Sequence, residues 1–456
     1  MIVKQPGGLI AAPQILPDGD TLIYAVAPGL FDPTAAGTDT FDRARIVAHS
    51  IKSADEKTLV EGGGAPMYVS TGHLLYVAGG TLFAAPFDAR RRVLTGDAVS
   101  VVEGVGRPEF TSGATPTRYY GVSENGTLLY IPGPASPTGG QFELALFDAD
   151  GHGVPLKTRP GSYLFPRLSP DGKHVAFGSN DPKGAIVWTY DLSGTSAVRQ
   201  LTIDGKNRYP VWSGDGTRIA FQSDREGDLA MYEERADGAA QAERLTKPAT
   251  GAAQIPESWS PDGRTLLYSE QSKGEEFELW GLALPERKPF RFGDVRSMAD
   301  PTSAMFSPDG KWVVYLATDK TGARNVFVEP FPRNGVKYPI GSGIWHPLWS
   351  ADGKRLFYRG SGGREYVVSI ATTPSFSISN PELLAASSFQ SRGRVEREYD
   401  VTRDGRFLGI VTATESPGAE SRTRPPSANR AAFGTAQQIN VVLNWFEELK
   451  QRVPVK

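Results

Sequence analysis

Apolar residues recur along the chain in short unbroken runs, such as Ile219-Ala220-Phe221 and Val313-Val314-Tyr315, each opening three residues after a glycine. That glycine closes a two-residue turn, at Asp18-Gly19, Thr71-Gly72, Asn125-Gly126, Asp171-Gly172, Asp215-Gly216, Asp262-Gly263, Asp309-Gly310, Asp352-Gly353 and Asp404-Gly405. Successive glycines lie 53, 54, 46, 44, 47, 47, 43 and 52 residues apart, a period that marks a stacked repeat. The flanks repeat too. Four residues before the glycine stand Ile15, Tyr68, Val122, Leu168, Trp212, Trp259, Phe306, Trp349 and Val401, and three after it Leu22, Leu75, Leu129, Val175, Ile219, Leu266, Val313, Leu356 and Leu408. From the third unit on, Ser or Thr precedes the glycine by three, from Ser123 to Thr402.

This pattern predicts a strand, a tight hairpin and a second strand, because Gly supplies positive φ and the Asp side chain bonds the turn backbone. Unbroken apolar runs mean that the second strand is buried on both faces, whereas a strand with one wet face would alternate. A third strand follows, as in Ile186 to Asp191, Leu229 to Tyr232, Leu279 to Leu282 and Val326 to Val328, then a short fourth, as in Arg199 to Thr202 and Arg244 to Thr246. Four strands per period is the arithmetic of a propeller blade. The expected fold is therefore all-β, a single closed β-propeller of nine four-stranded blades over residues 1–456, with eight as the alternative. Closure is expected between residues 1–5 and 439–446, with Ile439 to Trp445 as a late strand of the ninth unit. Residues 414–437 read as an insertion in that blade, and Phe446 to Arg452 as one or two helical turns.

Composition narrows the function. Lys and Arg number 49 against 51 Asp and Glu, a net charge of −2, so no overall field recruits nucleic acid or an anionic membrane. No stretch approaches the roughly 18 apolar residues of a membrane span, and Met1 to Pro6 lacks a signal-peptide core, so the chain reads as soluble. Cys is absent, which removes disulfides, thiolate nucleophiles and Cys-ligated metals.

The segments Leu168-Ser169-Pro170-Asp171-Gly172-Lys173-His174-Val175-Ala176-Phe177, Trp212 to Phe221 followed by Ser223-Asp224-Arg225-Glu226-Gly227, and Trp259 to Tyr268 resemble the WD40-like repeats of TolB-type propellers. Leu82 to Asp88, Val328 to Pro332 and Asn440 to Trp445 resemble the extracytoplasmic propeller regions attached to bacterial, notably acidobacterial, serine/threonine protein kinases. That resemblance implies a periplasmic or cell-surface sensor region. Kinase activity is not implied, because the sequence has neither a Gly-rich nucleotide loop nor a catalytic-loop pattern.

Catalytic signatures are missing: there is no Gly-x-Ser-x-Gly elbow, no His-Glu-x-x-His helix and no phosphate loop. No catalytic residue, metal ligand or cofactor is assigned. His73 and His174 read as turn-flanking polar residues, and His152 sits in an Asp150-Gly151 turn. The recurring Asp, and Asp148-Ala149-Asp150-Gly151, read as turn residues rather than calcium ligands, since the later bidentate Glu is missing. Binding is expected six to eight residues before each hairpin glycine, where loops enter the innermost strands and the sequence varies on a repeating scaffold. The candidate ligand-binding residues there are Arg118, Tyr119, Arg208, Tyr209, Glu257, Trp345, His346, Arg397 and Glu398, while Pro13, Pro66, Pro166, Pro210 and Pro347 read as rigid starts of strands. The leading expectation is a monomeric, non-catalytic propeller binding a protein, peptide or small ligand. The alternatives are a hydrolase or lyase with His346 as base and Glu257 or Glu398 as acid, and a purely structural scaffold.

Overall fold

The computed structural model describes residues 8–28, 44–106, 118–132, 142–148, 150–181, 184–272, 276–298, 300–360, 363–373, 375–384, 397–412 and 439–455. All nine hairpins form, and each joins two neighbouring strands at one edge of its own antiparallel sheet. The nine turn glycines have φ between 68° and 86°, the region that glycine enters without a Cβ clash. The Ser or Thr three residues upstream explains the repeated triad. Ser260 Oγ donates to Asp262 Oδ1 at 2.5 Å, the same carboxylate oxygen accepts the Arg264 N–H at 3.0 Å, and Ser260 Oγ accepts the Thr265 N–H at 2.9 Å. One hydroxyl thereby closes both ends of the turn, and the same bonds recur around Ser169, Ser307 and Ser350.

The fold is all-β and propeller-like, and its residues gather into two compact units, one drawn from Met1–Gly140 with Phe433–Lys456, the other from Gln141–Ala432. In the first unit, the first hairpin's sheet comprises Gly8–Ile15, Thr21–Pro28, Arg45–Ser50 and Glu56–Glu61, and the second is built around Gly64–Val69, His73–Ala78 and Thr81–Asp88. The third hairpin, Tyr120–Val122 with Leu128–Tyr130, is completed by Asn440–Val442. Its second strand departs from the pattern, since Leu129 is exposed between buried Leu128 and half-buried Tyr130. The helix Trp445–Arg452 then docks on the core of the second and third sheets through Trp445 and Leu449.

Of the strand expected at Ile439 to Trp445 only Asn440–Val442 forms, Trp445 opening the helix instead, and its partner is the third hairpin and not the ninth. The ninth hairpin's Phe407–Thr412 pairs instead with Phe142–Phe147, leaving Asp400–Val401 innermost and Gly153–Pro155 outermost. Turn chemistry fixes a hairpin's own two strands, whereas the next partner is chosen by long-range burial. The rest of that expected closure, residues 1–5, and the expected insertion at 414–437 lie outside the described residues.

The second unit holds the fourth to ninth hairpins. Their middle strands, such as Arg218–Ser223 and Thr265–Ser272, are buried on both faces as the sequence predicts. Cores lie between successive sheets: Val175 and Phe177 with Leu408 and Ile410, Ala176 with Trp212 and Phe221, Val211 with Trp259 and Tyr268, Leu267 with Phe306 and Tyr315, and Val314 with Trp349 and Tyr358. A further core joins Leu348 and Phe357 of the eighth sheet to Ala145, Phe147 and Phe407 of the ninth.

The hairpin ends also touch. A Cβ on Gly214 would lie 2.6 Å from the Pro261 carbonyl oxygen and 2.8 Å from that of Ser260, so the backbone of the next sheet leaves no room for one. Gly214→Ala is expected to lower stability by about 1–3 kcal/mol through overpacking, read as a lower unfolding midpoint, with Gly121→Ala as the control, since Gly121 likewise lacks left-handed backbone and its Cβ would meet nothing within 4 Å. Equal losses in the two variants would mean that the inter-sheet contact is not what Gly214 serves.

Candidate functional site

The strands that enter each hairpin share a feature that the sequence pattern did not reveal. Seven residues before the turn glycine, Ala12, Ala65, Phe165, Tyr209, Ser303 and His346 all have left-handed backbone, with φ of 49°, 53°, 53°, 57°, 46° and 54°. In five of these units the ladder breaks there, between Ala11 and Gln14, Gly64 and Met67, Leu164 and Arg167, Arg208 and Val211, and Trp345 and Leu348. In each of the five the following residue is proline, which has no N–H to lose where the ladder is interrupted. The sixth sheet bulges at Glu257, between Pro256 and Ser258. Left-handed backbone is unfavourable for bulky side chains, and its retention at one register in successive sheets marks a shared, over-determined geometry.

In the second unit this register carries most of the expected site. Phe165 and Tyr209 are buried and in ring contact, their centroids 4.7 Å apart at 39°. His346 is buried, and its carbonyl accepts the hydroxyl of Tyr399 at 2.8 Å. Burial raises the Tyr399 phenol far above its ordinary range. Trp345 is half-buried, with the Arg324 guanidinium 5.9 Å from its ring centroid. Glu257 acts as a strut: its Oε1 accepts Ser269 Oγ at 2.6 Å and the Ser303 N–H at 3.1 Å, tying the sixth and seventh sheets together.

The arginines divide. Arg397 is engaged, with Nε donating to the Tyr399 carbonyl at 2.9 Å and Nη1 directed at the Pro347 carbonyl and Met305 Sδ, while its own carbonyl accepts Arg167 Nη1 at 2.7 Å. Glu398 beside it is buried. Arg208 is buried with Nε and Nη1 lacking hydrogen-bond partners. Arg118 and Tyr119 belong to the first unit, half-buried ahead of Tyr120–Val122, and the Tyr119 carbonyl accepts the Ile131 N–H at 2.8 Å. Sequence reasoning missed Arg167, whose Nη1 donates to the Arg397 carbonyl, Tyr399, whose hydroxyl donates to the His346 carbonyl, and Gln222, which the bulge sets opposite Arg208.

The turn residues behave as turn residues. A Ser or Thr hydroxyl, helped by backbone N–H groups, holds the carboxyls of Asp171, Asp215, Asp262, Asp352 and Asp404 below the usual range. Asp148, Asp150 and His152 gather within 4.8 Å of one another but are exposed, and Asp148 Oδ1 accepts the N–H groups of Asp150 and His152, so its first role is to close that turn. His73 differs from the expected turn-flanking residue. It is fully buried, bonded through Nδ1 to Thr71 Oγ1 at 2.9 Å and through Nε2 to the Val453 carbonyl at 2.6 Å.

Among curated proteins, 191 residues of the chain are 27% identical to an uncharacterized peptidase, YuxL, of Bacillus subtilis, covering 33% of this chain and 29% of that protein. A tricorn protease homolog of Streptomyces coelicolor is 32% identical over 133 residues, 29% of this chain and 12% of its own. The Tol-Pal system protein TolB of Alcanivorax borkumensis is 32% identical over 88 residues, 19% and 20% respectively. The chain therefore spans less than a third of the length of these relatives. Among solved structures, a putative TolB from Agrobacterium tumefaciens matches at 18% identity and a TM-score of 0.48, over 59% of this chain and 98% of that one. Residues 155–289, which contain the fourth and fifth sheets and nearly all of the sixth up to its last strand, match the family model of the TolB beta propeller domain, and the chain thus carries a TolB-like β-propeller domain.

Proposed function

We propose that residues 141–432 close into a six-sheet ring and act as a non-catalytic binding propeller, taking a peptide segment of a protein partner where the innermost strands begin. Ring closure is supported by the ninth sheet, which draws strands from both ends of this unit and shares cores with the fourth and eighth sheets. The observation that carries the binding reading is the repeated left-handed residue, which sets Phe165, Tyr209, Ser303 and His346 at one register in strained backbone. Proteins retain such strain where the surroundings enforce it, and sites of recognition are where it collects. The extracytoplasmic location and monomeric state belong to the same reading, the location resting on the resemblance of Val328 to Pro332 and its companion segments.

The hydrolase or lyase alternative asks Glu257 or Glu398 to serve as an acid beside His346. The hydrogen bonds that Glu257 Oε1 accepts from Ser269, Ser303 and Thr302 suit a strut better than a proton donor. The test is selection of a random displayed-peptide library on the full chain, followed by cross-linking of the enriched peptides. Trp345→p-benzoylphenylalanine is expected to capture them, and the same substitution at Val336, on the loop between the third and fourth strands and so at the opposite end of its sheet, is not. No enrichment, or equal capture at both positions, would sink the binding reading.

A further inference from the structure

Arg208 is 5% exposed, and its Nε and Nη1 atoms are buried without a hydrogen-bond partner. No ion pair or ring contact engages it among the described residues. A buried guanidinium left unpaired is among the most unfavourable arrangements a fold can hold, so its retention calls for a partner. Directly opposite on the neighbouring strand is Gln222, fully buried, whose side chain therefore shares the face of Arg208. Gln222 Nε2 donates to the Gln254 carbonyl at 2.8 Å, which fixes the amide, and its Oε1 is likewise buried and unpartnered. Unsatisfied donors and an unsatisfied acceptor thus lie on directly opposed residues, next to Tyr209 and its ring contact with Phe165.

We propose that Arg208 is an oxyanion-recognition residue, its guanidinium, unpartnered at both Nε and Nη1, taking a carboxylate or phosphate group of the ligand, with Gln222 Oε1 accepting an N–H or O–H of the same ligand. This rests on the binding reading above and deepens it: the ligand is anionic at the point that reaches the fifth sheet. Arginine suits the task because it stays charged when buried and its bonds to an oxyanion are charge-assisted.

The test uses the full chain labelled with 15N-arginine, following the Arg208 Nε–H resonance, assigned by its absence from Arg208→Lys. At fixed ionic strength it is titrated with sodium acetate, inorganic phosphate, Ac-Gly-Glu-Gly-NH2 and Ac-Gly-Gln-Gly-NH2. The Glu peptide is expected to move the resonance saturably, with an affinity roughly tenfold or more above that of the Gln peptide, and acetate to move it more weakly. Phosphate outbinding every carboxylate would uphold the oxyanion site and assign a phosphoryl source. A resonance unmoved by any anion, or moved alike by Glu and Gln peptides, overturns the proposal. Peptides that shift other resonances but not this one would leave the binding reading standing without it; a response to acetate or phosphate with no peptide binding would do the reverse. A second measurement needs no variant: the Glu peptide raises the wild-type thermal midpoint more than the Gln peptide, and equal shifts count against the proposal.

Discussion

Arg359→Met is expected to destabilise the eighth sheet by about 3–5 kcal/mol, the cost of leaving one member of a buried ion pair alone. Arg359 ends the strand Arg355–Arg359 and faces Glu365 directly across the ladder. Its Nε donates to Glu365 Oε1 at 2.7 Å, Nη2 reaches the same oxygen, and the two side chains are only 5% and 2% exposed. Removing the guanidinium strands the carboxylate in a medium that cannot solvate it. Removing both charges does not, so Arg359→Met/Glu365→Leu is expected to recover most of the loss. The damage should also spread towards the left-handed register at His346. Glu365 and Arg359 both act on buried Tyr399, whose hydroxyl holds the His346 carbonyl. Hydrogen exchange of the amides in residues 355–371 reads local opening of this sheet. Wild-type protection in the single variant, or a double variant as damaged as the single, would show that the pair contributes little.

The hairpins were legible in the sequence because everything that makes them is local: Gly at positive φ, Asp on the turn backbone and Ser on the Asp. The unbroken apolar runs likewise announced strands covered on both faces, and Ile219 to Phe221 are buried as the pattern requires. Long-range choices were not legible. Asn440–Val442 was recognisable as a strand, yet nothing local says that Leu128–Tyr130 is its partner. The bulge hid the neighbours of the site. Trp212 pairs with Ile219 and Val211 with Ala220, so unbroken counting sets Arg208 opposite Ser223; the extra residue moves it opposite Gln222. That one-residue slip turns a serine neighbour into the buried amide that faces Arg208. The clue available beforehand was the bulky residue followed by proline in Phe165-Pro166, Tyr209-Pro210 and His346-Pro347, which reads as a rigid start of a strand unless the left-handed conformation is known.

Trp445→Ala is expected to release the C-terminal helix from the first unit at a cost of about 3–5 kcal/mol. Trp445 is the largest fully buried side chain described and shares a core with Leu75, Leu82, Val101, Leu128, Leu449 and Val453. Its backbone N–H also caps the third hairpin, donating to the Gly126 carbonyl at 2.8 Å, while Phe446 covers Gly126 so closely that a Cβ there would meet its ring. The three-residue ladder of Asn440–Val442 is too short to hold the C-terminal segment alone, so strand and helix should be lost together. Acid should loosen the same contact. Burial lowers the pKa of His73 below its ordinary value near 6.5, partly offset by the Val453 carbonyl. The carbonyl can only accept, so Nε2 carries the proton of a neutral ring and Nδ1 accepts from Thr71. Because the unfolded chain takes up a proton that the folded ring resists, docking is most stable above about pH 6.5 and weakens as the pH falls from there towards the lowered folded value. Limited proteolysis within residues 439–455 reads both effects, with cleavage rising in Trp445→Ala at neutral pH and in the wild type as the pH falls. His73→Gln, whose amide cannot charge, should flatten the pH response while leaving the effect of Trp445→Ala in place. A pH response unchanged in His73→Gln would move its origin elsewhere, and a helix as protected in Trp445→Ala as in the wild type would remove Trp445 as its anchor.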